Sequence, residues 1–486
     1  MISFVVGLVL LIIGYLIYGK VVDKKMGVKP DMKTPAYTLS DGVDYIPIAT
    51  WKVFLIQFLN IAGTGPVFGA ILGIMFGPAA FLWIVFGCIF IGAVHDYFSG
   101  MYSIRRNGLS IPEIVGEELG NGMRYVMRVF SLVLLVLVGV VFVRTPADLI
   151  AVLTPTSGFC GGPMFWLVLI LLYYIFATLL PVDKLIGNLY PLFGAVLLFM
   201  AVGVVVGIFV QPGTIPEVTE AFTNHHPKGT PLLPCLFITI ACGAVSGFHS
   251  TQTPLMARCL KNEKYGRIVF YGAMITEGIV ALIWAAGAIK FADSLGVEGN
   301  TPYEKLMTYM DGNPANLVYA LCNSWLGTLG AILAVLGVAI APITSGDTAF
   351  RSARLIASDF LHLKQDKIAK RLLLALPLFS IAIMLFFMDF EKLWRYFAWT
   401  NQSLACIVLW TMAIAQSRRR KPYNLCLYPA LFMTFICSTY IMVAEEGFGL
   451  DLVVGYIIGG SVALLTLVGF EAWIILVRNK KYKKIN

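Results

Sequence analysis

The stretch QFLNIAGTGPVFGAILG, Gln57–Gly73, is apolar enough to lie within a membrane, yet it places Gly63, Thr64, Gly65 and Pro66 at its centre. In a helix interior glycine costs about 1 kcal/mol and proline about 3 kcal/mol relative to alanine, so the cluster predicts a helix broken in mid-span. A second stretch, FITIACGAVSGFHSTQTPLMA, Phe237–Ala257, repeats the design, with Gly243 and Gly247 set among Ser246, His249, Ser250, Thr251, Gln252 and Thr253. Non-helical backbone at membrane depth is tolerated only where it lines a protein-enclosed or watery cavity. Interrupted segments in corresponding halves of a chain therefore point to the binding site of a transporter.

Composition agrees with that setting. The 486 residues are 58% hydrophobic and 13% charged, with a mean hydropathy of +0.82, against roughly 45–50% and 25% in soluble domains. The formal net charge of +9 does not indicate nucleic acid, because the bases sit in the connectors and are not interleaved with aromatics in a soluble domain. Cys88, Cys235, Cys242 and Cys406 lie inside apolar runs without metal-type spacing; they read as small buried hydrophobes, not as a disulfide framework. No GxxxxGK[ST] phosphate loop supports a pump. No HExxH motif or nucleophile–base pair supports an enzyme.

The apolar runs, beginning with residues 1–18 and the broken span 51–75, continue through 78–104, 121–143, 163–180, 187–210, 232–256, 268–290, 320–350, 369–388, 393–415, 424–443 and 451–477. Each approaches or exceeds the ~20 residues that cross the hydrocarbon core, which makes about thirteen transmembrane helices. Alternate connectors differ in charge. Thirty of the 36 Lys and Arg fall on one side, including Lys24, Arg105, Lys184, Arg258, Arg351, Arg418 and the tail from Arg478, and six on the other. The positive-inside rule then places the amino terminus outside and the carboxyl terminus in the cytoplasm; a reporter fused to the tail distinguishes this topology from its inverse. The two broken spans start on opposite sides with five spans between their beginnings. The expected architecture is an all-α integral membrane protein with a five-plus-five inverted repeat, leucine-transporter-like, whose first and sixth core helices are broken. Residues 1–50 form an added helix and loop, 51–415 the core (51–210 and 232–415 as the repeats), and 416–486 two further helices with a basic tail.

Glycines at a break let backbone approach a ligand. Half-helix amino termini favour anions, while carboxyl ends and unwound carbonyls favour cations. Gly63, Thr64, Gly65, Ser246, Gly247, His249 and Gln252 are thus the substrate-binding candidates. In VAIAPITSGDTAFRSARL, Val338–Leu355, offsets of three and four residues put Ala341, Thr344 and Ser345 on one helix face. Their hydroxyls, with a freed carbonyl near Ala62, suit a small hard cation or a proton-bearing water. Asp347 and Glu277 are ionisable groups inside spans and hence coupling candidates by default; Asp347 can instead pair with Arg351. His95 and Asp96 read as an inner gate or a capping pair. Trp394 and Trp399 fit an interfacial aromatic belt, and Asn401 and Gln402 either join helices or line the pathway.

These blocks, NIAGTGPVFG, GAVHDYFSGMYSIRRNG, SGFHSTQTPLMAR, YGAMITEGIVALIWAA, APITSGDTAFRSARLI and RYFAWTNQSLA, together resemble the carbon starvation protein A family over roughly residues 20–415. The resemblance implies uptake of small carbon nutrients, peptides or pyruvate, across the bacterial plasma membrane during nutrient limitation. It also implies membership of the amino acid-polyamine-cation superfamily, in whose sodium-coupled members an Ala-x-x-Thr-Ser element joins a cation site. Ala341, Thr344 and Ser345 are similar to that element. The expected function is secondary active transport of a small carboxylate or peptide, without a cofactor. Its coupling ion is a proton or a sodium ion held at Thr344 and Ser345. The alternative is a channel-like permease, which would give non-saturating flux.

Overall fold

The computed structural model describes residues 1–42, 44–154, 157, 160–179, 183–361, 363 and 368–482; for 178–179, 183–193, 359 and 477–482 it describes backbone alone. Side chains of the connector at Lys184 and of the tail beyond Arg478 lie outside the described residues. Among those described, the chain is helical throughout apart from connectors and two isolated bridges.

The helices follow from the apolar runs. They are α1 Ile2–Met26, α2 Thr50–Ala62, α3 Gly65–Phe76, α4 Ala79–Ile104, α5 Asn121–Leu153, α6 Pro163–Ala177 and α7 Gly194–Val210. The second half holds α8 Leu232–Thr239 and α9 His249–Ala257, then α10 Glu263–Ser294, α11 Pro314–Ser358, α12 Ile368–Leu385, α13 Phe390–Arg418, α14 Asn424–Val443 and α15 Leu452–Leu476. Nine of these described helices are long and apolar enough to span a membrane, and the bent pair α2/α3 makes ten. The shorter apolar α6 and α7 and the interrupted pair α8/α9 supply the remaining expected crossings. The run expected at 320–350 begins differently: α11 starts at Pro314 and turns sharply at Gly327, where φ is 69°.

The first break has a local cause. Gly63 takes φ 44° and ψ −142°, a conformation that L side chains avoid. The chain then resumes as a helix at Gly65 with Pro66 in the first turn, where proline's missing N–H costs nothing. The two halves meet at 45°. In the second break the chain leaves helical geometry at Ile240, passes through Gly243 at φ 91° and re-enters a helix at His249. The bundle closes around these breaks. Gln57, Asn60, Thr64, Ser246 and His249 are all buried with the apolar core, while α15 and much of α1 present large hydrophobic side chains outward, as lipid-facing helices do.

The connector 211–231 is held on the bundle by named contacts. Glu217 accepts hydrogen bonds from the Ile2 and Ser3 amides at the start of α1, at 2.9 and 2.7 Å, a helix-capping arrangement. The His226 ring packs on Phe76 with centroids 4.5 Å apart. Burial first, and Lys228 second, press the His226 imidazole down to about 4. The folded pKa lies below the unfolded value of about 6.5, so this loop is docked in full at neutral pH and loses stability as pH falls from about 6.5 towards 4. Hydrogen exchange of the amides around His226 is expected to show less protection at pH 5 than at pH 7 after correction for intrinsic rates. His226→Gln should remove the difference. Equal protection in the unmodified protein at both pH values contradicts the assignment.

Candidate functional site

The carbonyls of Leu59 and Asn60 lie in the last turn of α2, just before the break. In a continuous helix they would accept from the amides of residues 63 and 64. Both face α11: the Ser345 hydroxyl stands 3.1 Å from each and 3.0 Å from Ala341 O of its own helix. The Ser345 hydroxyl, with one proton to donate, thus stands among three carbonyl oxygens. The result is a knot of electron-rich oxygens of the kind hard cations prefer. The expectation placed Thr344 and Ser345 against Ala62 to Gly65. The structure places Ser345 one turn earlier, against the carbonyls of Leu59 and Asn60 that precede the break, and turns the Thr344 hydroxyl onto Ala341 O at 2.8 Å. Ala62 is buried beside this knot in sequence. Asp347 is buried with Arg351 as its ion-pair partner at 3.7 Å.

Around the second break three helices bring ionisable groups together. Asp96 on α4 has one carboxylate oxygen 2.8 Å from His95 Nδ1 and the other 2.8 Å from His249 Nδ1. A carboxylate only accepts, so both imidazoles donate from Nδ1. The His249 Nε2 is thereby turned to Glu277 on α10, 3.3 Å from Oε2. All four side chains are fully buried. Nε2 of both histidines and both Glu277 oxygens make no well-formed hydrogen bond. His95 and Asp96, read from sequence as a separate gate, are thus joined to the break by His249. The unwound segment also sets Cys242 beside them, with its sulfur, a His249 nitrogen and a Glu277 oxygen all within 4.8 Å of one another.

The amides of the second break are largely engaged. Asn401 Oδ1 accepts from the Phe248 amide at 2.7 Å, its backbone carbonyl accepts from Gly247 N at 3.2 Å, and its Nδ2 reaches Ser246 Oγ at 3.1 Å. Gln402 donates to Phe237 O at 3.0 Å. Trp394, read as a belt residue, is buried and donates to Thr239 O at 3.3 Å; Trp399, half-buried, donates to Cys437 O at 3.0 Å. Helix α13 therefore splints the second break with side chains that satisfy its loosened backbone. Gly247 packs against that helix, since an added Cβ would lie 2.3 Å from Asn401 O. Buried polar atoms without partners remain at Gln57, Thr64 Oγ1 and Gln252 Oε1, Gln252 giving its NH2 to Thr251 Oγ1 at 2.9 Å. Such atoms are costly unless a ligand or water meets them. Sequence reasoning passed over Gln57 and read Cys242 only as a small buried hydrophobe, although both stand in the stretches it singled out.

Two interrupted membrane helices, with carbonyls at one break met by a hydroxyl and a buried carboxylate–imidazole group at the other break, define a multi-pass transporter of the broken-helix class. Solved structures of that class superpose on the chain. One is the Eremococcus coleocola manganese transporter in complex with an aromatic bis-isothiourea substituted compound, with TM-score 0.57 and 12% identity over 90% of this chain and 98% of that one. Another is MhsT in complex with L-phenylalanine, with TM-score 0.54 and 14% identity over 86% and 97%. The carbon starvation protein CstA model matches residues 1–160 and 155–319, and the chain belongs to that family. An uncharacterized membrane protein of Haemophilus influenzae is 47% identical over 58% of this chain and 89% of its own. Peptide transporter CstA of Bacillus subtilis is 27% identical over 98% and 96%. The pyruvate/proton symporter BtsT of Escherichia coli is 29% identical over 66% of this chain and 54% of its own.

Proposed function

We propose that the protein is a secondary active transporter that takes up a small carboxylate-bearing carbon nutrient, pyruvate-like or a short peptide, together with a proton. The observation that carries the reading is the buried Asp96–His249–Glu277 group at the second break. An imidazole between two carboxylates gives a proton a seat where the alternative is unpaired charge in a dry interior. The names of the two relatives, a peptide transporter and a pyruvate/proton symporter, support the substrate class and the ion. The substrate carboxylate docks at the start of α3, where Thr64 offers an unpartnered hydroxyl and the helix amino terminus favours an anion. A second reading, sodium as the coupling ion, is favoured by the oxygen knot at Ser345.

Uptake by purified protein in proteoliposomes separates these readings. Labelled pyruvate and a labelled dipeptide are offered under a pH gradient and, separately, a sodium gradient. Saturable uptake driven by the pH gradient alone is expected. Flux that does not saturate and follows neither gradient would overturn transport of this kind in favour of a channel. If sodium is the coupling ion, replacing Thr344 and Ser345 together by alanine should lower sodium-driven accumulation about tenfold, the scale of one charge-assisted hydrogen bond, with substrate affinity little changed. Wild-type uptake of the double variant across sodium concentrations and pH values removes the oxygen knot from coupling.

A further inference from the structure

The same break carries a second chemistry. We propose that Cys242, His249 and Glu277 form a binding site for a thiophilic divalent cation of the zinc class, and that its occupation arrests transport. The arrest rests on the transport reading above; the binding does not.

The donors come from separate segments. Cys242 lies in the unwound stretch, His249 opens α9 and Glu277 projects from α10. The three ligand atoms lie within 4.8 Å of one another. Around one tetrahedral ion, with ligand bonds of about 2.0–2.3 Å, donors stand roughly 3.3–3.8 Å apart, so the set closes with side-chain adjustments of about an ångström. The nitrogen that a metal would take already faces another of the proposed ligands: Asp96 holds His249 through Nδ1 at 2.8 Å, which turns Nε2 to Glu277 Oε2 at 3.3 Å without a well-formed hydrogen bond. A carboxylate that fixes the distal nitrogen of a metal-binding histidine is the usual outer partner of such sites, and His95 holds that carboxylate from its other oxygen. Both Glu277 oxygens are likewise buried without a well-formed hydrogen bond. The Cys242 sulfur stands 3.7 Å from both the Asn401 amide nitrogen and the Ser246 hydroxyl.

The donor set selects the ion. Thiolate and imidazole prefer zinc-class ions over magnesium or calcium, which take oxygen ligands. Binding converts the Cys242 thiol to thiolate and releases its proton to solvent. With three protein ligands, a fourth position stays open to water or to a substrate carboxylate. An ion there would tie the unwound segment, α9 and α10 to one point and take the nitrogen that the proposed proton uses. A transporter so bound cannot move the second break relative to α10.

The test uses the full-length protein purified in detergent, with zinc alone titrated by calorimetry and cobalt as an absorbing substitute. One equivalent of zinc is expected, together with a thiolate-to-cobalt charge-transfer band. Cys242→Ser should abolish the band and weaken zinc at least about tenfold, and Asp96→Asn, a positioning change, should weaken it roughly 10–100-fold. Cys160, exposed at the surface, is the control: Cys160→Ser should change neither signal. His249→Gln provides a second ligand variant should Cys242→Ser fail to give folded protein. No stoichiometric zinc in the wild type, or a cobalt band that survives Cys242→Ser and disappears in Cys160→Ser, overturns the site. In proteoliposomes zinc should inhibit uptake by the wild type. Zinc bound by protein that moves no substrate supports the site and counts against the transport reading; normal transport with no zinc bound does the reverse.

Discussion

His249→Ala is expected to lower proton-driven uptake by about 100-fold or more, at every pH, while the protein remains in the membrane. The imidazole is the one group among the described residues that reaches both Asp96 and Glu277, at 2.8 and 3.3 Å. Its removal leaves two carboxylates facing a cavity in a fully buried site. A step that takes its proton on this imidazole loses its carrier, and proton transfer by a positioned side chain is typically worth about 100- to 10,000-fold. Asp96→Asn should fall in the same direction but less far. An amide oxygen can still accept from one histidine, while its NH2 meets the other imidazole at a nitrogen that also donates. Uptake measured across pH in proteoliposomes is the readout, with calorimetry of substrate binding to show that the variants are folded. A His249→Ala protein that transports at the wild-type rate with the wild-type pH profile removes this group from the mechanism.

The sequence disclosed some of this site and concealed the rest for physical reasons. Gly63, Gly65 and Pro66 declare a break because their backbone preferences are local and survive any context. The second break was legible at Gly243 for the same reason. Pairing across helices was not. Asp96 and His249 are separated by 153 residues, and nothing in the periodicity of α4 says which neighbour its polar face meets, so His95 and Asp96 read as a gate apart from the break. Asn401 carried an ambiguous signal, since an amide in a span needs partners of some kind. The structure shows the partners to be the Phe248 and Gly247 amides and the Ser246 and Cys242 side chains of the second break, and that leaves fewer amides there for an anion than the glycine pattern suggested. Cys242 was concealed most completely, because its companions His249 and Glu277 follow at offsets that match no metal motif. The turn at Gly327 is a similar case: a lone glycine in an apolar run is more often a packing residue than a corner.

Gly65→Val should abolish transport, and the cause is written in the contact between the two breaks. A Cβ added at Gly65 would lie 2.1 Å from Cys242 Cβ and 2.4 Å from its sulfur. These separations are far inside van der Waals contact, so the breaks must part or the unwound segment must shift. Either movement disturbs His249 and Glu277. Even Gly65→Ala carries this clash, and overpacking of this kind typically costs about 1–3 kcal/mol. Uptake should therefore be largely lost with alanine as well, and the melting temperature lowered. The next nearest atom to the added Cβ is Cys242 Cα at 3.5 Å, an ordinary contact, so deleting the Cys242 side chain makes room. Gly65→Ala combined with Cys242→Gly should recover stability and substrate binding relative to Gly65→Ala alone. That rescue separates two roles for Gly65. If the glycine serves close packing of one break on the other, the double variant binds substrate again; if it serves approach of the carboxylate to the start of α3, the methyl group obstructs the anion whatever residue stands at 242. Calorimetry on purified single and double variants decides between them, and wild-type uptake by Gly65→Ala would show that the two breaks do not need to meet this closely.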